Sequence, residues 1–148
     1  MFEVHRLGRV PYRHAWEMQK EKVRQIDQGI IANQLLLLEH PHTVTLGRAS
    51  HAEHLLLSSE EYARRGIDVV EIDRGGDVTY HGPGQLVGYP LFFLGERGND
   101  AHRFLRDLEE ALIIALRRFG IDGERKPPYT GVWVGDEKVA AIGVKFHR

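Results

Sequence analysis

No cysteine occurs among the 148 residues. Disulfides, thiolate metal centres and any cysteine nucleophile within these residues are thereby excluded. Long apolar runs are missing as well: no stretch approaches the ~20 residues needed to span a bilayer, and the opening MFEVHRLGRVPYRH lacks the apolar core of a secretory leader. A cytoplasmic location is the expectation. Neither sign of charge dominates, with 20 Lys and Arg against 21 Asp and Glu, so no basic footprint for nucleic acid is present. Lysine itself is scarce, five residues against fifteen arginines, which draws interest to each one. What remains is ordinary for a soluble globular protein: 42% hydrophobic and 28% charged residues argue against disorder, collagen and low complexity. A chain of this length is expected to form a single domain over 1–148 and to bury about two thirds of its unfolded surface.

Periodicity sketches the elements. Residues 2–7 alternate as a strand, and Pro11 suits the first turn of a helix whose stripe is Tyr12, Trp16, Gln19, Val23 and Ile26, ending near Gly29. Residues 35–38, four leucines halted by Pro41, read as a buried strand, and 43–46 as another. Ser58, three residues before Glu61, opens a capping box for a short helix reaching Gly66. The β-branched residues 69–72 read as a strand running into a tight turn at Arg74-Gly75-Gly76. Residues 86–94 contain Pro90 and so read as an edge or bulged strand. Asn99 or Asp100 caps a long helix with Phe104, Leu108, Ala111, Leu112, Ala115 and Phe119 on one face. After Pro127-Pro128, residues 131–144 read as a hairpin turning at Gly135-Asp136, with Lys138 just past the turn. Strands and helices do not alternate strictly, and several links are too short for parallel crossovers. The predicted class is α+β, with a mixed, mainly antiparallel sheet.

Residues able to carry chemistry concentrate in twelve positions, Arg74-Gly75-Gly76-Asp77-Val78-Thr79-Tyr80-His81-Gly82-Pro83-Gly84-Gln85. Glycines beside a strand let main-chain groups approach a ligand closely, while Tyr80 and His81 offer polar tips. The same glycines serve equally as turn residues, with His81 a satisfied core residue. Neither G-x-x-x-x-G-K-[ST] nor G-x-G-x-x-G occurs here, which disfavours a mononucleotide loop. Lys138 precedes Val139-Ala140-Ala141-Ile142-Gly143 and admits two readings. Either its stem lies on an apolar sheet surface with a poorly solvated ammonium, or it is a strand-end lysine reaching water. His40 with His42, and His51 with His54, form two histidine pairs; Pro41 disturbs the first, and the second lacks an HExxH setting. No metal site is expected. Asp68, Glu71, Asp73 and Asp77 alternate like strand residues without calcium-loop spacing and read as solvated or paired.

The block from Arg74 to Gln85, followed by Gly131-Val132-Trp133-Val134 and by Lys138-Val139-Ala140-Ala141-Ile142-Gly143-Val144, resembles the lipoyl(octanoyl) transferases in order and spacing. These are also called octanoyl-[acyl-carrier-protein]:protein N-octanoyltransferases, and the resemblance covers essentially the whole chain. Lipoate-protein ligases of the same fold carry a related Ser-Gly-Gly-Gly block whose histidine is followed by aspartate. Here Gly82 follows His81, which favours the transferase branch, and that branch needs no ATP or other cofactor. The resemblance implies a fold of the biotin and lipoate ligase type, an open sheet flanked by helices. It implies an acyltransferase that moves octanoyl from octanoyl-acyl carrier protein to a lysine of lipoyl domains, in 2-oxoacid dehydrogenases and glycine-cleavage H protein, during lipoate biosynthesis. Substrate contacts are implied along Arg74, Gly75, Gly76, Asp77, Val78, Thr79, Tyr80 and His81, and along Ala141, Ile142 and Gly143.

The resemblance also implies a cysteine nucleophile assisted by Lys138. That cysteine, and a histidine-glycine block of the family's C-terminal portion, have no counterpart before Arg148. The implied chain is therefore shortened at its C-terminal end and does not complete turnover alone. With a thiol restored, a nearby ammonium favours thiolate, and the two groups titrate as a pair. Backbone donors after Ala141 would hold the thioester oxygen. Burying about seven alkyl carbons at roughly 0.8 kcal/mol each supplies about 5 to 6 kcal/mol, enough for a medium-chain preference. Two other readings stay open: an ATP-dependent lipoate or biotin ligase, and a non-catalytic module that binds acyl carrier or lipoyl domains.

Overall fold

The computed structural model describes all residues except 49, 51–54, 73–76, 96–97, 99 and 147–148. The chain divides into two compact units, Met1–Phe93 and Leu94–Arg148. In the first unit, β1 (Phe2–Arg9), β2 (Asn33–Glu39) and β6 (Val87–Leu91) form one sheet in the order β1-β2-β6. A second sheet orders β4 (Asp68–Glu71), β3 (Thr43–Leu46) and β5 (Thr79–His81) as β4-β3-β5. β1 runs parallel to β2, and β3 parallel to β4; the remaining pairings of the unit are antiparallel. Each parallel pair is bridged by a helix, α1 (Tyr12–Asp27) or α2 (Ser59–Arg64), which supplies the long return that parallel strands require. The expected mixed α+β class is found. β6 occupies an edge of its sheet among the described residues, where Pro90 costs no ladder bond on its open side.

The four-leucine run shows why β2 holds the centre of its sheet. Gln34, Leu36 and Leu38 are buried, while Leu35 and Leu37 are half-buried, so the strand alternates instead of vanishing into a core on both faces. Leu36 packs with Ile26 of α1 and Leu91 of β6, and Leu38 packs with Val10 and Ala15. Helix α1 departs from the expected stripe, of which only Tyr12 and Ile26 are buried while Trp16, Gln19 and Val23 are half-buried. Ala15 is fully buried, whereas Trp16 lies at the margin with the Lys20 ammonium 4.0 Å above its ring. The small side chain allows the helix to sit close to the sheet, and the indole fits only beside it. Pro11 is the cap of α1, just outside its first turn. α2 starts as predicted, with Ser58 Oγ accepting the Glu61 N–H at 3.2 Å, and the chain leaves it through Gly66 at φ +65.

The second unit holds α3 (Ala101–Arg117) and a hairpin of β7 (Gly131–Val134) and β8 (Glu137–Ala141). Asp100 caps α3 by accepting the Arg103 N–H at 2.9 Å. The face of α3 differs from the expected one. Phe104, Glu109 and Ile113 are buried, while Ala111, Ala115 and Phe119 are exposed. Phe119 lies beyond the helix, in the turn that ends at Gly120 with φ +74, so the helical period no longer governs it. Glu109 rotates the buried face because a carboxylate that finds partners can occupy a position which hydropathy assigns to the surface. The hairpin turns at Gly135, φ +55, as the sequence predicted. Among the described residues no helix is long and apolar enough to cross a membrane.

Candidate active site

Strand β5 carries the middle of the glycine-rich block and is fixed by β3, with Thr43 opposite His81, Val44 opposite Tyr80 and Thr45 opposite Thr79. The Thr45 hydroxyl donates to the Thr79 carbonyl at 3.3 Å. Upstream, Asp77 Oδ1 accepts the N–H of Val78 at 2.7 Å. Arg74, Gly75 and Gly76 lie outside the described residues, as do Asp73, His51 and His54. Past His81 the chain turns sharply. Tyr80 folds back over Gly82, where a Cβ would sit 2.7 Å from Tyr80 Cζ, so this position takes a side chain only if Tyr80 moves. The Tyr80 hydroxyl is 2.6 Å from His42 Nδ1. Gly84, at φ +84, donates its N–H to Glu39 Oε2 at 2.9 Å, and Gln85 Oε1 lies 3.1 Å from His81 Nδ1. The loop that follows His81 is thus tied to β2 and to His81 itself.

Behind the block sits a group of rings that sequence reasoning did not assemble. His40 is fully buried, and its Nδ1 lies 2.6 Å from the carbonyl of Val10. A carbonyl can only accept, so Nδ1 carries the proton. Burial holds the imidazole below its ordinary pKa of 6.5, offset only in part by the Val10 bond. The ring is therefore neutral near pH 7, and its Nε2 accepts from the Tyr89 hydroxyl at 2.8 Å. Tyr12 packs 5.0 Å from the His40 ring, and His81 meets His40 edge-on at 5.6 Å while stacking on Tyr12 at 5.7 Å. His40 and His42, considered above as a metal pair, thus hold the two polar tips of the block, one beside His81 and the other on Tyr80. The available signal was positional: antiparallel pairing of β3 with β5 carries the residues before Thr43 alongside those after His81.

Lys138 belongs to the second unit. It stands opposite Trp133 in the β7–β8 ladder and is exposed. Its stem crosses Gly131, where a Cβ would lie 2.6 Å from both Lys138 Cε and the Ala140 carbonyl oxygen. Gly131 also adopts φ +141, a conformation that favours glycine. The ammonium rests 5.0 Å from the centroid of the Trp133 ring, within range of a cation–π contact. Both sequence readings are partly met, since the stem lies on apolar surface and the residue still reaches water. Ala141 ends β8 opposite Gly131, and Ile142 and Gly143 follow beyond the strand. One hairpin therefore presents Lys138 and the 141–143 segment.

Residues 11–148 match the family described as the Lipoyl protein ligase A/B catalytic domain. The chain belongs to that family. An octanoyltransferase of Chloroflexus aggregans is 52% identical over 145 residues, covering 97% of this chain and 66% of the relative. One from Rubrobacter xylanophilus is 55% identical over 146 residues, covering 97% of this chain and 65% of the relative. The chain thus spans just under two thirds of the length of these lipoyl ligase A/B relatives. A crystal structure of lipoate-protein ligase A bound with ATP superposes with a TM-score of 0.66 at 15% identity, covering 92% of this chain and 57% of that one. The bipartite lipoate protein ligase of Thermoplasma acidophilum, from a study with its E2 lipoyl domain, gives 0.64 at 18% identity, over 97% of this chain and 55% of that one. At such identities these two likenesses show the fold, which is that of the lipoate ligases.

Proposed function

We propose that this domain is the larger part of an octanoyltransferase, which moves octanoyl from octanoyl-acyl carrier protein to a lysine of a lipoyl domain. The observation that carries the reading is its identity of 52% and 55% to octanoyltransferases across 97% of the chain. The geometry is consistent at Gly82, where the folded-back Tyr80 would have to move to admit the aspartate that the ligase pattern carries after its histidine. A cytoplasmic location accompanies this reading, with lipoyl domains of 2-oxoacid dehydrogenases and glycine-cleavage H protein as acceptors.

The chemistry that the family resemblance implies needs a cysteine thiol, which these 148 residues do not contain. The Lys138 ammonium favours its thiolate, which adds to the thioester carbonyl and expels the carrier thiolate, leaving an octanoyl-enzyme thioester. The neutral amine of the acceptor lysine then attacks that carbonyl, the enzyme thiolate departs, and the proton lost by the amine passes to the thiolate–lysine pair. Residues 74–81 and residues 141–143 are the segments that the family resemblance assigns to substrate contact, and backbone donors after Ala141 would stabilise the developing oxyanion.

The test extends the chain past residue 148 with the corresponding portion of the Rubrobacter xylanophilus relative and supplies octanoyl-acyl carrier protein with an unmodified lipoyl domain. Mass spectrometry should show one octanoyl group on the lipoyl domain without ATP. Modification that requires free octanoate and ATP would make the domain a ligase, and binding without modification would make it a carrier-binding module.

A further inference from the structure

Glu109 is the one charged residue buried among the described residues, and none of its side chain meets solvent. A carboxylate withdrawn from water persists only when its oxygens are paired and hydrogen-bonded. Both oxygens of Glu109 are. Oε2 accepts from Arg106 Nη1 at 2.7 Å and from Arg125 Nε at 3.1 Å, and Oε1 accepts the backbone N–H of Gly131 at 3.0 Å. Arg125 also donates to the Arg106 carbonyl and to Glu110 Oε2. Next to it, Glu124 and Trp133 exchange both backbone bonds at 2.8 and 2.9 Å. One carboxylate on α3 therefore gathers the segment before the hairpin and the first residue of the hairpin itself.

The two guanidinium contacts neutralise the charge. The third bond ends on Gly131, the residue over which the Lys138 stem passes. Glu109 grips the amide of Gly131, while Lys138 Cε and the Ala140 carbonyl oxygen, each 2.6 Å from where its Cβ would be, share the place of its side chain, with Trp133 Cη2 3.3 Å from that same point. We infer that Glu109 is a positioning residue for Lys138: through Gly131 it fixes the floor under the lysine stem and so sets where the ammonium stands over Trp133. The inference deepens the proposed function and rests on it for the use made of Lys138, though the positioning itself is a property of the hairpin.

A purely structural brace would alter stability without moving Lys138, so the readout is the position of the lysine. In the folded chain labelled with 13C-lysine, the Trp133 ring current should displace the Lys138 Hε resonance upfield, with Lys138→Met giving the assignment. Lys20 over Trp16, at 4.0 Å, is the internal reference for an intact fold. Glu109→Gln keeps the shape, but its NH2 end faces donors only, so Lys138 should lose most of its displacement while Lys20 keeps its own. Glu109→Asp keeps the charge but lacks the reach to hold Gly131 and both guanidinium groups together, and should give a smaller loss in the same direction. An unchanged Lys138 resonance in either folded variant overturns the inference. Failure of both variants to fold also overturns it, since Glu109 is then a core residue alone. In the extended chain, Glu109→Gln should lower kcat for octanoyl transfer and leave KM for the carrier substrate unchanged. If Lys138→Met retains transfer there, the role given to Lys138 fails while the resonance result still decides the positioning.

Discussion

Around His40, the polar groups are out of water and answered by other polar groups: Val10 takes the Nδ1 proton, and Tyr89 donates to Nε2. Around Lys138, the amine is exposed and its path is set by sterics, through an absent side chain at Gly131 and the face of Trp133. The first arrangement derives from desolvation, which makes every unmet partner expensive. The second derives from backbone conformation, which costs little while glycine is present. The difference suggests that damage at the two places will be read by different instruments, loss of stability for the ring cluster and loss of chemistry for the hairpin.

The largest effect expected is on chemistry. In the extended chain, Lys138→Ala should abolish octanoylation of the lipoyl domain with little change in thermal midpoint, because an exposed stem contributes little to packing; retained transfer would remove Lys138 from the mechanism. Next comes His40→Ala, which removes a fully buried ring and takes from the Val10 carbonyl its Nδ1 donor, and should cost about 3 kcal/mol in denaturant unfolding. A cost near zero would show that water replaces the ring and would dissolve the contrast.

The His40 pKa, depressed by burial, adds a pH dependence of known sign. The unfolded ring takes up a proton near 6.5 and the folded ring resists it, so the unfolded state binds more protons in acid. Stability from this group is complete above pH 6.5 and is lost as pH falls from there to the lower folded pKa, with a slope of at most about 1.4 kcal/mol per pH unit. Stability plotted against pH for the parent and for His40→Gln should run parallel above pH 6.5 and converge as pH falls below it; curves parallel over the whole range would contradict a buried neutral ring.

Gly82→Ala tests the block from its exposed side. The new methyl displaces Tyr80 from His42, and since Tyr80 is at the surface the stability change should stay below about 1 kcal/mol, while transfer by the extended chain falls. The smallest effect belongs to the hairpin tip. There the Lys126 ammonium, 2.8 Å away, holds the Asp136 carboxyl below the usual range, yet Asp136 is fully exposed. Asp136→Asn should leave the thermal midpoint unchanged, and a clear drop would mean that the hairpin is held by charge after all.

Much of the local structure is determined by the sequence alone. The Ser58 cap, the Gly66 exit, the Gly135 turn, the edge strand around Pro90 and the position of Lys138 just past a turn all follow from hydrogen bonding and steric limits acting within a few residues. The tertiary structure decided what depends on distant partners. It placed Glu109 inside α3's buried face, because Arg125 and Gly131 satisfy a charge that hydropathy would expose. It made His40 and His42 supports of the glycine-rich block, because strand pairing carries residues some forty positions apart into contact. And it gave Gly131 and Gly82 their reasons, each a missing side chain whose space is taken by other residues, Lys138 and the Ala140 carbonyl in one case and Tyr80 in the other. Local rules specify how a backbone bends, whereas the worth of a buried charge or of an empty space is fixed only when its neighbours arrive.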